Sequence, residues 1–332
     1  MKNSPKWLLA LLALAFASCT QKTPQKEIWI YASFYREVIA LYEPALKKAF
    51  PDVKIQWFQS GSENVAAKLQ TEIAGGNPQA DLLITSDLFF YLELAKQGAL
   101  LPLPTSPGLA HLPAGHVSSD KTIAVTRYPV MVLAWNKSVP EADRPKSYKD
   151  LVNPKYKDKL TMPSPLESGT AITSVMYLKQ LFGEDYFKQL RKNEILAAGG
   201  NGSAMARIQS GERPVGLVLM ENVLQAMEKG NSSVGFTIPA EGAIAIPSPM
   251  SVLKTTRNPE AAQKIFEWFL GPEAQGILTK GWAYSALPGS PHPTGAPAWG
   301  SFKTLPWSLE TFATWGVEKQ AVKDLFQNTV LK

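Results

Sequence analysis

The chain has 332 residues, of which 45% are hydrophobic, and this length exceeds what one typical hydrophobic core serves. We therefore expect two domains or one large α/β unit. The formal net charge of +6 is mild and the arginines are scattered, which excludes the concentrated basic patch of a nucleic-acid groove. The single cysteine excludes an internal disulfide and a thiolate metal site.

The first 18 residues have the pattern of a secretory signal peptide. Two lysines are followed by an apolar stretch at 7–16 and by small residues before Cys19. This stretch is too short for a permanent membrane-spanning helix. Residues 14–19 resemble a bacterial lipoprotein processing site, which implies that Cys19 carries a lipid and that residues 19–26 form a tether. We therefore expect an exported lipoprotein on a bacterial membrane, periplasmic or at the cell surface.

Three strand-to-helix units come next. Residues 27–32, 53–58 and 81–85 each have the length and apolar content of a strand, and each runs through a serine into a helical pattern. Such repetition predicts an α/β fold with parallel strands and crossover helices. The loops after the strands then meet at the carboxyl edge of the sheet, where α/β folds bind ligands.

A second α/β region follows a proline-rich loop. Further strands or strand-like runs are predicted at 122–126, 130–135, 159–162, 214–220, 234–238 and 243–254. Further helices are predicted at 172–182, 185–192, 201–209, 259–270, 272–279 and 317–331. The stretch 287–307, dense in proline, glycine and tryptophan, is predicted to be irregular.

The polar turn Ser168-Gly169-Thr170 stands directly before one of these helices. Ser168 or Thr170 can cap the helix, and Gly169 lets the backbone lie close to a bound group. The first amides of a helix have no partner within it and carry partial positive charge, so they favour an anion. A plain helix cap is the alternative interpretation of the same pattern.

Four stretches together resemble the type 2 periplasmic solute-binding proteins of ABC importers, in the branch with ferric-ion, phosphonate and sugar-phosphate binders. They are Ser-Gly-Ser-Glu at 60–63, Ala-Asp-Leu-Leu-Ile-Thr-Ser-Asp at 80–87, Tyr-Lys-Asp-Leu-Val-Asn-Pro-Lys-Tyr-Lys at 148–157 and Gly-Glu-Arg-Pro-Val-Gly-Leu at 211–217. The resemblance implies two α/β lobes, each a mostly parallel sheet flanked by helices, with a ligand in the cleft between them.

The resemblance also implies where the chain crosses between lobes. Crossings near 127–129 and 239–246 place residues 27–127 and 247–332 in lobe 1 and residues 128–246 in lobe 2. The ligand-binding residues implied on lobe 1 are Ser33, Gly61, Ser62, Ser86 and Asp87. Those implied on lobe 2 are Ser168, Gly169, Thr170, Glu221 and Asn222. Weaker candidates are Tyr128 and Arg127 at the first crossing and the segment 282–285.

The ligand class follows from one departure from the family pattern. Ferric-binding members hold iron through adjacent tyrosines, but the corresponding position here reads Met220-Glu221-Asn222-Val223, and the sequence has no Tyr-Tyr pair. Glu221 and Asn222 suit hydroxyl or amino groups, and the serine turns suit a phosphate or phosphonate. We therefore expect a small organic anion such as a sugar phosphate or an aminophosphonate, with ferric ion as the alternative.

Nothing in the sequence indicates an enzyme. The three histidines lie in loops without the spacing of a zinc hydrolase, and two Ser-x-x-Lys matches at 118–121 and 251–254 lack their partner motifs. We expect no cofactor and no bound metal. The expected partners are the solute, a permease with its ATPase and the membrane, reached through the lipid. We expect a monomer that works by hinge closure, and a sensor that presents its closed form to a receptor is the alternative.

Overall fold

The computed structural model describes residues 26–230 and 233–332. The predicted signal peptide and Cys19 lie outside these residues, as does the predicted tether except for Lys26. No helix within the described ranges is both long enough and apolar enough to cross a membrane.

The described chain alternates strands and helices. The strands are β1 (Lys26–Ala32), β2 (Val53–Gln59), β3 (Leu82–Ile84), β4 (Ala124–Tyr128), β5 (Val130–Asn136), β6 (Leu160–Met162), β7 (Leu196–Ala197), β8 (Val215–Leu219), β9 (Val234–Thr237), β10 (Ile244–Ala245), β11 (Ser248–Val252) and β12 (Tyr284–Ser285). The α-helices are α1 (Arg36–Ala49), α2 (Ser62–Ala74), α3 (Leu88–Lys96), α4 (Pro107–Ala110), α5 (Gly169–Phe182), α6 (Asp185–Lys192), α7 (Asn201–Ser210), α8 (Met220–Glu228), α9 (Pro259–Phe269), α10 (Pro272–Lys280) and α11 (Leu309–Phe326). Helix α11 continues into a π-helical turn, Gln327–Leu331.

The strands form two separate sheets, one in each lobe. The order in lobe 1 is β12-β4-β11-β3-β1-β2, and the order in lobe 2 is β10-β5-β8-β6-β7 with β9 beside β5. Strands β1, β2 and β3 are parallel, whereas β11 is antiparallel to both β3 and β4. The two-lobed α/β fold is thus confirmed, but both sheets are mixed rather than mostly parallel. In lobe 1 the returning strand β11 inserts between β3 and β4, and in lobe 2 β5 runs antiparallel to β8, β9 and β10.

The chain passes from the first sheet to the second at Pro129, between β4 and β5. It returns through the two residues that separate β10 from β11. The single run predicted at 243–254 is therefore two strands in two lobes. The lobe boundaries drawn from these crossings stay a prediction, and α11, which they assign to lobe 1, contacts elements of both lobes.

The strands nearest the cleft are buried on both faces. Every residue of β3 and of β8 is buried, as the nearly continuous apolar runs in the sequence indicate. Both strands end in loops that turn directly into helices, so the first residues of α3 and α8 stand at the carboxyl edges of the two sheets. This arrangement places Ser86 and Glu221 on opposite sides of the cleft.

Helix α11 begins eight residues before the predicted start. Ser308 caps it by accepting a hydrogen bond from the Thr311 amide at 3.0 Å. The Phe312 ring lies 4.9 Å from the ring of Phe89 in lobe 1, and the Trp315 ring lies 4.9 Å from the ring of Tyr177 in lobe 2. The last long helix therefore contacts both lobes.

Candidate functional site

A cavity of about 180 Å³ lies between the two lobes. Its wall is mainly polar and combines loop residues with the first residues of helices from both lobes. The wall residues expected from the sequence are Ser33, Gly61, Ser62, Ser86, Ser168, Thr170 and Glu221, and Arg127 joins them from the weaker candidates. The wall residues that sequence reasoning missed are Tyr35, Gln59, Ser60, Glu167, Gly200, Asn201, Gly202 and Leu219.

The lobe 1 side of the wall is held together by hydrogen bonds between three loops. The Ser86 amide donates to Ser62 Oγ at 3.2 Å, which ties the start of α3 to the start of α2. An Arg127 Nη2 group donates to Ser86 Oγ at 3.0 Å. The Ser33 amide donates to the Ile84 carbonyl at 3.0 Å. These bonds position the hydroxyl groups at the carboxyl edge of the first sheet.

The lobe 2 side is organised by Asn201 at the start of α7. Its Nδ2 donates to Thr170 Oγ1 at 2.8 Å, and its Oδ1 accepts from the Leu219 amide at 3.3 Å. Ser168 Oγ lies 2.9 Å from Thr170 Oγ1 and accepts from the Ala171 amide at 3.4 Å, so Ser168 does cap α5. One asparagine thereby joins α5, α7 and the end of β8 into a single polar surface.

The lobes touch each other at the rim of the cavity. A Cβ built on Gly169 would lie 2.8 Å from the Ser86 carbonyl oxygen and 2.8 Å from Asp87 Cβ, both in the opposite lobe. A Cβ on Gly61 would lie 2.9 Å from the Glu167 carbonyl oxygen. Real Cβ atoms do not approach other atoms so closely, so both glycines allow backbone contact between the lobes. The structure is a closed arrangement.

Further bonds join the lobes on the side of α8. Tyr35 Oη donates to Asn222 Oδ1 at 3.0 Å, and Trp282 Nε1 donates to Glu228 Oε2 at 2.6 Å. Each bond links a loop of lobe 1 to α8 of lobe 2. The two lobes are therefore also joined along α8.

The cavity wall carries two buried ionisable groups of opposite sign. Arg127 is 4% exposed and Glu221 is 7% exposed. Burial raises the pKa of the Glu221 carboxyl to about 7, and the positive charge of Arg127 opposes that rise. Within the described residues no ion pair closer than 4.0 Å joins the two groups.

Two polar atoms of the wall residues have no hydrogen-bond partner in the described chain. They are Arg127 Nε and Ser33 Oγ, and both are buried. Leaving a buried donor unpaired costs about 1–3 kcal/mol, and more for a charged group. Neither atom is accessible from the cavity, because neighbouring protein atoms shield both of them.

Four of the expected residues lie outside the cavity wall. Asp87 is fully buried, caps α3 by accepting from the Phe90 amide at 3.4 Å and pairs with a lysine of α11. Tyr128 stacks on Trp299 with ring centroids 4.8 Å apart. Asn222 is engaged by Tyr35, and Gly169 lies at the lobe contact. Direct contact of these four with a ligand stays a prediction.

The missed residues mostly adjoin expected ones. Gln59 and Ser60 precede Gly61, and Glu167 precedes Ser168. Asn201 gave a sequence signal, because Asn-Gly at a helix start is a polar turn of the same kind as Ser-Gly-Thr. Tyr35 gave none, since a tyrosine before a helix usually packs.

The cavity wall carries several kinds of hydrogen-bonding group. No cluster of three or more histidine, cysteine, aspartate or glutamate side chains with metal-binding spacing occurs in residues 26–230 and 233–332. The wall instead offers hydroxyl groups, amides, one guanidinium and two carboxylates.

Comparisons with known proteins agree with this architecture. A family model described as bacterial extracellular solute-binding protein matches residues 31–276. Iron uptake protein A1 of Synechocystis is 24% identical over 86% of this chain and 83% of its own length. A putative 2-aminoethylphosphonate-binding periplasmic protein of Salmonella typhi is 25% identical over 67% of this chain and 66% of its own.

A solved structure shows the same fold. The periplasmic binding protein AfuA of Actinobacillus pleuropneumoniae, with exogenous fructose-6-phosphate bound, aligns with a TM-score of 0.81 at 22% identity. The alignment covers 92% of this chain and 99% of AfuA.

We predict that Gly169→Val holds the lobes apart, because the added side chain would collide with Ser86 and Asp87. Small-angle X-ray scattering should show a larger radius of gyration, while circular dichroism stays unchanged. Gly276→Ala is the matched control, since a Cβ there meets nothing within 4 Å. An unchanged radius for Gly169→Val would contradict the interlobe contact.

We also predict that Glu221 makes stability depend on pH. Its folded-state pKa of about 7 lies above the reference value of 4.5, so its contribution is fully present below pH 4.5 and is lost as the pH rises through 7. The free energy of unfolding, measured with urea, should fall by on the order of 3 kcal/mol between pH 5 and pH 8. This fall should be smaller in Glu221→Gln. The exposed Glu212→Gln variant should keep the pH dependence of the unmodified protein. Identical profiles for all three proteins would count against the buried carboxyl.

Proposed function

The chain belongs to the family of bacterial extracellular solute-binding proteins, the binding components of ABC importers, and on this premise we propose its ligand. The ligand is a small organic anion that carries a phosphate or phosphonate group together with an amino or hydroxyl group. It is captured in the cavity between the lobes. The family consists of binding proteins rather than enzymes, and the proposed mechanism is hinge closure without catalysis.

The observation that carries this proposal is the buried Arg127 guanidinium in the cavity wall, which has no carboxylate partner in the described chain. A buried guanidinium is stable when it faces an anion, and its planar donors match phosphate or phosphonate oxygens. Because no carboxylate pairs with Arg127 within 4.0 Å in the described chain, the ligand is the group that completes its environment.

Helix starts add to this preference for an anion. Ser62 begins α2, Ser168 caps α5 and Asn201 begins α7, and all three residues line the cavity. The first amides of these helices bear partial positive charge directed toward the cavity side. The two lobes contribute together, so an anion held between them favours the closed arrangement.

Glu221 accounts for the second group of the ligand. Its carboxyl lies on the lobe 2 wall, and its charged form is disfavoured by burial. An ammonium group beside it would favour the ionised carboxylate, whereas a hydroxyl group could donate to it in either state. A ligand with an anionic end and an amino or hydroxyl end therefore spans the two buried charges.

The similarity to relatives supports a small anionic ligand but does not identify which one. The relatives include an iron uptake protein and a putative 2-aminoethylphosphonate-binding protein, and AfuA was solved with fructose-6-phosphate bound. Ferric ion is the second candidate, because Tyr35, Glu167 and Glu221 place oxygen donors on the wall. The cationic Arg127 on the same wall and the missing tyrosine pair favour the organic anion.

The proposed setting follows from the same family. Relatives are named as periplasmic proteins, which implies export, and the solute passes to a permease with its ATPase. A lipid on Cys19 would keep the protein at the membrane as a monomer beside that permease. A receptor in place of the permease is the sensor alternative, and a transport assay in cells lacking this chain separates the two.

We predict that the ligand raises the melting temperature. A ligand at about 100 times its dissociation constant stabilises the folded protein by roughly 2.7 kcal/mol. Thermal melts with 2-aminoethylphosphonate, fructose 6-phosphate, inorganic phosphate and ferric citrate compare the classes directly. A shift with a phosphonate or phosphate ester, lost in Gly169→Val and kept in Gly276→Ala, is expected. A shift with ferric citrate alone, together with a visible iron–tyrosinate colour, would overturn the ligand class.

We predict that Arg127 binds the anionic end of the ligand and that Glu221 binds its amino or hydroxyl end. Arg127→Met should weaken binding of the phosphonate or phosphate ester at least about 30-fold, which corresponds to about 2 kcal/mol. Arg127→Lys should recover only part of that loss, because it lacks the planar fork. Glu221→Gln should instead reduce the preference for an amino ligand over its analogue without the amino group. Calorimetry measures both effects, with Arg213→Met outside the cavity as control.

If Arg127→Met binds as tightly as the unmodified protein, Arg127 is no ligand contact. If Glu221→Gln keeps the amino preference unchanged, the second half of the ligand assignment is wrong while the anion assignment stands. The two variants therefore test the two ends of the ligand separately.

A further inference from the structure

Helix α11 joins the two lobes at a place outside the cavity wall. On lobe 2 it packs on α5, where the Trp315 ring meets the Tyr177 ring at 4.9 Å and Glu318 pairs with Lys179 at 3.1 Å. The Tyr177 hydroxyl also donates to the Pro306 carbonyl at 2.9 Å, just before the helix begins. The start and the middle of α11 are thus attached to lobe 2.

The end of α11 is attached to lobe 2 as well. The Phe326 ring lies 5.8 Å from the Phe187 ring of α6, and both side chains are fully buried. The π-helical turn Gln327–Leu331 packs on α6, and Arg191 donates to the Lys332 carbonyl at 3.1 Å. The helix and its π-helical turn therefore have an extensive apolar attachment to lobe 2.

The contact of α11 with lobe 1 combines packing on α3 with a cluster of ionic contacts. Lys319 Nζ lies 2.7 Å from Asp87 Oδ2 and 3.1 Å from Glu63 Oε1, and the second of these contacts is electrostatic rather than hydrogen-bonded. Lys323 Nζ lies 2.5 Å from Glu63 Oε2. The Phe89 ring of lobe 1 lies 4.9 Å from the Phe312 ring, and its centroid lies 5.7 Å from Lys319 Nζ.

These four charges are shielded from solvent. The Asp87 side chain is fully buried, and the side chains of Glu63, Lys323 and Lys319 are 11%, 14% and 19% exposed. Two lysines from the lobe 2 attachment neutralise two carboxylates of lobe 1. Asp87 and Glu63 directly follow Ser86 and Ser62, so the cluster lies immediately behind the cavity wall.

The four charges are paired in the closed arrangement and hydrated in the open one, so loss of one lysine affects the two arrangements differently. If α11 moves with lobe 2, opening separates both lysines from Glu63 and Asp87 and lets water reach all four groups. Without Lys319, the closed arrangement would hold Asp87 buried beside no lysine, which strongly disfavours closure. The open arrangement would hydrate Asp87 and would suffer far less.

We propose that α11 is a strap fixed to lobe 2 whose Lys319 and Lys323 hold lobe 1 in the closed arrangement. Both residues act as positioning residues, since they contact the first residues of α2 and α3 and do not line the cavity. The balance between open and closed lobes is then set partly from the carboxyl end of the chain. This proposal does not depend on which ligand the cavity binds.

The test uses the whole protein without ligand. Lys319→Met should increase the radius of gyration in small-angle X-ray scattering, and hydrogen exchange should quicken at the first amides of α2 and α3. Lys319→Arg should restore the compact form. The matched control is Lys179→Met, which removes an ion pair of α11 that lies wholly within lobe 2. It should leave both measurements unchanged.

A double variant separates the charge effect from general damage to the helix. Asp87→Asn keeps an oxygen that can cap α3 but removes the buried negative charge. If the charge mechanism holds, Lys319→Met with Asp87→Asn should be more compact than Lys319→Met alone. Equal radii for Lys319→Met, Lys179→Met and the unmodified protein would overturn the proposal. So would a double variant as expanded as Lys319→Met, because the missing ion pair would not then explain the opening.

A second variant tests the proposal if Lys319→Met does not fold. Lys323→Met leaves Glu63 beside Lys319, so it should open the lobes less and stay folded. In the unmodified protein, salt should shift the scattering in the same direction as Lys323→Met. A radius that neither salt nor Lys323→Met changes would also overturn the proposal. These measurements use the protein without ligand, so they test the proposal even if no compound raises the melting temperature.

Discussion

The approach of α5 to the loops of the opposite lobe sets the geometry on which the rest of the site depends. The first turn of α5 lies so close to Ser86 and Asp87 that only a glycine fits at position 169. This backbone contact determines how far the lobes close and how large a cavity remains between them. It also brings the starts of α2 and α5 together, which neither lobe could do alone.

Two groups of buried charges lie near this contact, one in the cavity wall and one behind it. Arg127 and Glu221 line the cavity and are both buried, without an ion pair closer than 4.0 Å between them in the described chain. Behind the wall, the lysines of α11 already neutralise Asp87 and Glu63. The inner pair is therefore suited to recognition and the outer cluster to holding the lobes together. Ser86 joins them, because it bonds to Arg127 and precedes Asp87 in the chain.

The relatives show why the fold alone does not identify the solute. Proteins named for iron, for a phosphonate and for a sugar phosphate share this architecture at identities of 22–25%. A shared fold does not fix the ligand, because function depends on the particular side chains that a fold presents. In this chain Arg127, Glu221 and Asn201 line the cavity, and we propose them as the residues that select the ligand.

The sequence by itself determined the fold class and about half of the cavity wall. Apolar runs that end in Ser86 or Glu221 place these residues at the edges of buried strands, and the pattern is local enough to be read directly. Only the tertiary structure decided which polar residue faces the cavity and which is used elsewhere. Asp87 follows Ser86 at once, yet its carboxylate is taken by Lys319, 232 residues further along the chain. Local patterns record propensity and burial, whereas such a pairing depends on where a distant helix packs.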